Sequence, residues 1–112
     1  MEIELNEKQK TELENLKSKH GKVRTLFVPL DEDDDSKVAV IFVKKPDGLV
    51  RNMIDSMVNK GKTNEAITAA LKALKIGGDD LDLVLKNDDA MASLDYAIAE
   101  LFAVQKTVLK KN

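Results

Sequence analysis

The chain has 112 residues, with 18 Lys and Arg against 20 Asp and Glu and a formal net charge of −2. That length predicts one domain with a modest core, and 43% hydrophobic residues argue against a disordered chain. The basic residues are spread along the sequence, only 4% of residues are aromatic and there is no Trp. This argues against a nucleic-acid interface, which concentrates cations on one face or supplies stacking rings.

With no cysteine, the chain has no disulfide, no thiol nucleophile and no thiolate metal site. Its start, Met1-Glu2-Ile3-Glu4, is acidic and polar, unlike a signal peptide. No apolar run approaches the roughly 18 residues that a membrane span needs. The expectation is a soluble intracellular protein.

Residues 5–19 read as a first helix, with Asn6 as N-cap and Gln9 completing a capping box. Its apolar stripe is thin, chiefly Leu13 and Leu16, which predicts a peripheral helix or one that waits for a partner. His20-Gly21 ends it, Gly21 suiting a left-handed C′ position.

Val23 to Leu30 and Val38 to Val43 read as strands joined by the polar loop Asp31–Ser36, a β-hairpin. Pro29 marks an edge position or strand end. A hairpin alone is marginal in water, so the helices that follow must cover one face. After Pro46, Asp47 can cap a helix over roughly 48–59, with Leu49, Val50, Met53, Ile54, Met57 and Val58 at helical spacing. Gly61 ends it.

Thr63 or Asn64 is expected to cap a third helix to about Lys75, with Ile67, Ala70, Leu71 and Leu74 as its buried stripe. Gly77-Gly78 breaks it. Asp79 to Lys86 suits either a short strand or a helical turn. Asn87 or Asp88 caps a last helix to about Lys110, where Met91, Leu94, Ile98, Leu101, Gln105 and Val108 step by three and four. Such a seam packs within the monomer or against another chain, and in a chain this small the second and third helices are its expected partners. Its wider face, including Tyr96, Phe102 and Val104, leaves apolar surface exposed. The expected domain is therefore 1–112, with an N-terminal helix (1–21), a hairpin (22–44) and a helical part (47–110).

No catalytic, cofactor-binding or metal site is expected. Asp31, Asp33 and Asp35 occupy the first ligand positions of a calcium loop, but its sixth position is Ser36 and its twelfth Phe42. A solvated turn explains them. Asp79, Asp80, Asp82, Asp88 and Asp89 flank glycines or open a helix, as turn and capping residues do. His20, the single histidine, has no partner at a motif spacing. Gly77-Gly78 lacks the spacing of a phosphate loop. Met53, Met57 and Met91 read as core fillers, with an adaptable binding groove as the alternative. The candidate partner-binding residues are Leu13, Leu16, Met91, Leu94, Ile98, Leu101, Phe102 and Val108.

Several short motifs recur in order. Lys17-Ser18-Lys19-His20-Gly21-Lys22 closes the first helix, an acidic hairpin follows, and Phe42-Val43-Lys44-Lys45-Pro46-Asp47 ends the second strand. Then come Gly77-Gly78-Asp79 and the acidic cap Asp88-Asp89 of a Lys-ended helix. Together they resemble small proteins of tailed bacteriophages and prophages of the tail assembly chaperone type, over nearly the whole chain. Gly48 stands where a basic residue is common in that group, and Leu74-Lys75-Ile76 where an aromatic precedes the Gly-Gly step.

The resemblance implies an α+β fold and a non-enzymatic role: binding tape-measure or tail subunits during virion assembly in the host cytoplasm. Its alternatives are a minor structural subunit of the particle, located in the virion, and a small phage regulator of a host protein. The partners it implies are phage structural or tail proteins. The apolar faces of the first and last helices add further copies of the chain as an expectation, composition and hydropathy argue against nucleic acid and a membrane, and no cofactor is expected.

Overall fold

In the computed structural model of the chain, residues 4–34 and 36–101 are described, and the side chains of 98–101 are not. The elements run α1 (Glu7–His20), β1 (Val23–Pro29), β2 (Val38–Lys44), α2 (Gly48–Asn59), α3 (Thr63–Leu74), β3 (Lys75–Gly78), α4 (Leu81–Leu85) and α5 (Asp88–Leu101). The fold is α+β, as expected. The hairpin, however, is two strands of a three-stranded antiparallel sheet in the order β1-β2-β3.

The local chemistry that starts and stops these elements is mostly that of caps. Asn6 and Gln9 form the full capping box: Gln9 N donates to Asn6 Oδ1 at 2.8 Å and Asn6 N to Gln9 Oε1 at 2.9 Å. Gly21 follows α1 at φ 77°, a conformation glycine adopts without steric penalty. Pro46 stops β2 and is buried, and Asp47 Oδ1 then accepts the Val50 N–H at 2.9 Å to cap α2. The expected cap of α3 is a correction. Its N-cap is Lys62, without a side-chain cap hydrogen bond, so neither Thr63 nor Asn64 serves.

Central position explains why β2 is apolar from Val38 to Val43. From Ala39 to Val43 every residue is buried. Ala39, Ile41 and Val43 join one core with Val28 of β1, Ile54 of α2, Ala66, Ile67, Ala70, Leu71 and Leu74 of α3, Val84 of α4, and Ala90 and Leu94 of α5. By strand alternation Val40 and Phe42 point to the other face. α1 lies on that side, packed against β1 and β3. A strand covered on both faces reads as a continuous hydrophobic run. Among the described residues no polar or charged side chain is buried.

The Asp79–Lys86 ambiguity resolves into a helical turn. Asp80 Oδ1 accepts the Asp82 N–H at 3.0 Å and α4 follows. The additional strand lies just before it, at Lys75–Gly78, where two glycines hide any strand signal.

Candidate functional site

The Gly77-Gly78-Asp79 step is where three elements meet. A Cβ on Gly77 would stand 2.7 Å from Leu16 Cδ1 and 2.8 Å from Glu12 Oε2, so the missing side chain lets α1 approach the sheet. Gly78 has φ +96° and a Cβ there would strike the Val40 carbonyl oxygen. Only glycine fits both constraints. Asp79 then bonds Val40 twice: Asp79 N donates to Val40 O at 2.7 Å, and Val40 N donates to Asp79 Oδ2 at 2.8 Å. Glu12 Oε2 accepts the Gly78 N–H at 3.2 Å.

Glu12, Val40, Gly78 and Asp79 also line a cleft of about 430 Å³, together with Asn6, Lys8 and Gln9. Both of its carboxylates are committed to backbone N–H groups of the sheet. The cleft is the seam that fastens α1 and β3 to β2.

The acidic loop is built in the same way. Asp31 Oδ1 accepts from Asp33 N at 2.9 Å, and Asp34 Oδ1 from Ser36 N at 3.0 Å and Ser36 Oγ at 2.6 Å. These bonds to its charged form hold the Asp34 carboxyl below the usual carboxylate range, those from Ser36 dominating over the pull of Lys37. The start of α5 ties this end of the hairpin to the helical layer: Asn87, just before the helix, donates from Nδ2 to Leu30 O at 2.8 Å, and Asp89 Oδ2 in its first turn accepts the Glu32 N–H at 3.0 Å. Asn87 also caps α5, its Oδ1 accepting from Ala90 N at 3.0 Å. Among the described residues no group of three or more His, Cys, Asp or Glu is placed to hold a metal ion. His20 is exposed at the end of α1.

The residues expected to bind a partner fall apart in space. Leu94 is 1% exposed and belongs to the core, a correction: with Ala90 one turn earlier it faces the sheet and α3. Met91 packs against the same core and lines a groove of about 510 Å³ with Lys72, Leu85 and Asp88. Leu13 and Leu16 are half-buried on α1, Leu16 beside Gly77. Ile98 and Leu101 are on α5, but their side chains, like Phe102 and Val108 entirely, lie outside the described residues.

Among the described residues the exposed large apolar side chains are Leu83 of α4, Tyr96 of α5 and three on α2. Leu49 is 83% and Met53 38% exposed, one turn apart on α2, and Val58 is 47% exposed on the same helix. Met57 and Val50 pack against the core and Ile54 is inside it, so Met53 alone of the three expected core methionines stands clear of it. The apolar arc of α2 is thus wider than the strip it buries against α3. That width was visible in the sequence: six apolar residues in one short helix exceed what a single contact covers. Tyr96, expected to be exposed, is 83% so.

Among the described residues no helix is long and apolar enough to cross a membrane. The geometry defines an α+β domain whose polar side chains fasten backbone and whose outward ridge on α2 is apolar. No protein-family model, no curated protein and no solved structure matches the chain.

Proposed function

We propose that this protein is a non-enzymatic binding module that assists assembly of a tailed-phage particle by holding apolar segments of tape-measure or tail subunits. The observation that carries the reading is the pair Leu49 and Met53, exposed one turn apart on the outer helix of the domain. An i, i+4 apolar pair is the geometry with which one helix meets another. The flexible thioether of Met53 suits adaptable contact. Exposed Lys45, Asp47 and Lys60 flank the ridge and limit nonspecific adhesion. The phage setting rests on the ordered motifs from Lys17 to Asp89. The chaperone acts in the host cytoplasm and is absent from finished particles.

The experiment is co-expression with the tape-measure and tail-tube proteins of a tailed phage, followed by affinity purification and mass spectrometry of intact particles. Co-purification with absence from the particle supports the chaperone. Presence in the particle makes it a structural subunit, and binding to neither tail protein removes the reading.

A further inference from the structure

The sheet has two edges, treated differently. At the β3 edge, Glu12 of α1 accepts the outward N–H of Gly78. The β1 edge has no such closure among the described residues, where β1 pairs with β2 alone.

The backbone parity of β1 follows from one bond. Leu30 N donates to Lys37 O at 2.8 Å, continuing the register in which Pro29 faces Val38. Even-numbered β1 residues therefore turn their backbone groups toward β2. The odd ones, Val23, Thr25, Phe27 and Pro29, turn theirs to the outer edge. The same parity sends the Val40 backbone to β3, where Asp79 meets it. Exposed edge strands are usually blunted by charge, by proline or by shortness. Here Arg24 and Pro29 bound an uncharged stretch, Thr25-Leu26-Phe27-Val28, in which Thr25, Leu26 and Phe27 are half-buried and Leu26 packs against the core.

We infer that the β1 edge binds the β1 edge of a second copy of this chain, antiparallel, about a twofold axis at Thr25. In this register Thr25 faces Thr25, and Val23 faces Phe27 of the other copy. Each of these pairs exchanges both of its N–H···O bonds. Thr–Thr and aromatic–β-branched pairs are favourable cross-strand neighbours. Arg24 faces Leu26 of the other copy, so no like charges stand directly opposite. Shifting the axis to Leu26 would bring Pro29, which has no N–H and turns its ring outward, against Val23. Pro29 thus selects the register at the axis and bounds the paired segment. The α2 ridge takes no part, so this association is separate from tail-protein binding.

Thr25→Cys tests it in a chain that has no cysteine of its own. Hydrogen-bonded antiparallel pairs have Cα atoms about 5.5 Å apart, within disulfide reach. Mild oxidation is expected to give a covalent dimer with Thr25→Cys and none with Ser18→Cys on the exposed side of α1 or with Leu26→Cys. Thr25→Lys and Thr25→Glu are each expected to sediment as monomers and, when mixed, to restore a dimer. A wild-type chain that is monomeric at about 100 µM, or a Thr25→Cys chain that does not cross-link, overturns the inference. Cross-linking through Leu26→Cys in place of Thr25→Cys overturns the register. A tail protein whose capture is lost with Thr25→Lys while the wild-type chain stays monomeric assigns the edge to that partner instead.

Discussion

Asp79 and Val40 exchange two hydrogen bonds: the Asp79 N–H donates to the Val40 carbonyl at 2.7 Å and the Val40 N–H to the Asp79 carboxylate at 2.8 Å. The side chain thereby extends the ladder past Gly78, where the strand itself ends. Asp79→Ala leaves a part-buried N–H without its acceptor and is expected to destabilise by about 1–3 kcal/mol. Asp79→Asn keeps an acceptor oxygen and is expected to lose less. Urea denaturation of the two variants gives the comparison.

The neighbouring glycines separate two kinds of constraint. Gly78→Ala meets both a positive φ and the Val40 backbone, neither of which can move aside, and is expected to cost about 3 kcal/mol. Gly77→Ala meets the side chains of Leu16 and Glu12, which can shift. Its expected cost is smaller, about 1 kcal/mol, with amide exchange rising in α1 before the rest of the fold. Equal losses for the two variants would contradict this division.

Asn87 has two partners on opposite sides of its amide, and they can be removed one at a time. Asn87→Asp keeps the cap of α5 and loses the bond to Leu30 O; Asn87→Ala loses both. The alanine variant is expected to lose about 1–2 kcal/mol more than the aspartate one. Thermal unfolding of the pair gives the difference.

Ser36 controls the titration of Asp34. Because the folded carboxyl lies below its ordinary value, its contribution to stability is present above the unfolded pKa and is lost as pH falls through the folded one. Ser36→Ala is expected to raise the Asp34 pKa toward the ordinary range, read from the carboxyl carbon shift in an NMR titration. An unmoved pKa would place the cause outside the hydroxyl.

Much of this fold is legible in the residue pattern because its signals are local. The Asn6–Gln9 box, Asp47 behind Pro46 and the apolar run Val38–Val43 each specify an element through neighbours in sequence. β3 is not legible. Lys75-Ile76-Gly77-Gly78 has weak strand propensity and is held by Val40, by Ile41–Val43 and by α1, all distant in sequence. Heptad spacing gives the apolar side of α5 and the small size of the chain favours packing within the domain, but only the tertiary fold decides that Leu94 is enclosed there, against α3 and the sheet, and is not a partner-binding residue. Exposure of Leu49 follows from α2 resting on α3 alone among its principal contacts, which helical periodicity does not encode.

The central claim is that the outward ridge of α2 binds a tail protein. Its most direct measurement is co-purification of the tape-measure and tail-tube proteins with the wild-type chain and with Leu49→Ser/Met53→Ser. Both positions are exposed, so the double variant is expected to unfold within a few degrees of wild type, a stability change of about 0.5 kcal/mol. The account predicts that the wild-type chain retains one of the two tail proteins and that the variant, equally folded, loses it. Equal retention by both chains, or none by the wild type, would contradict it.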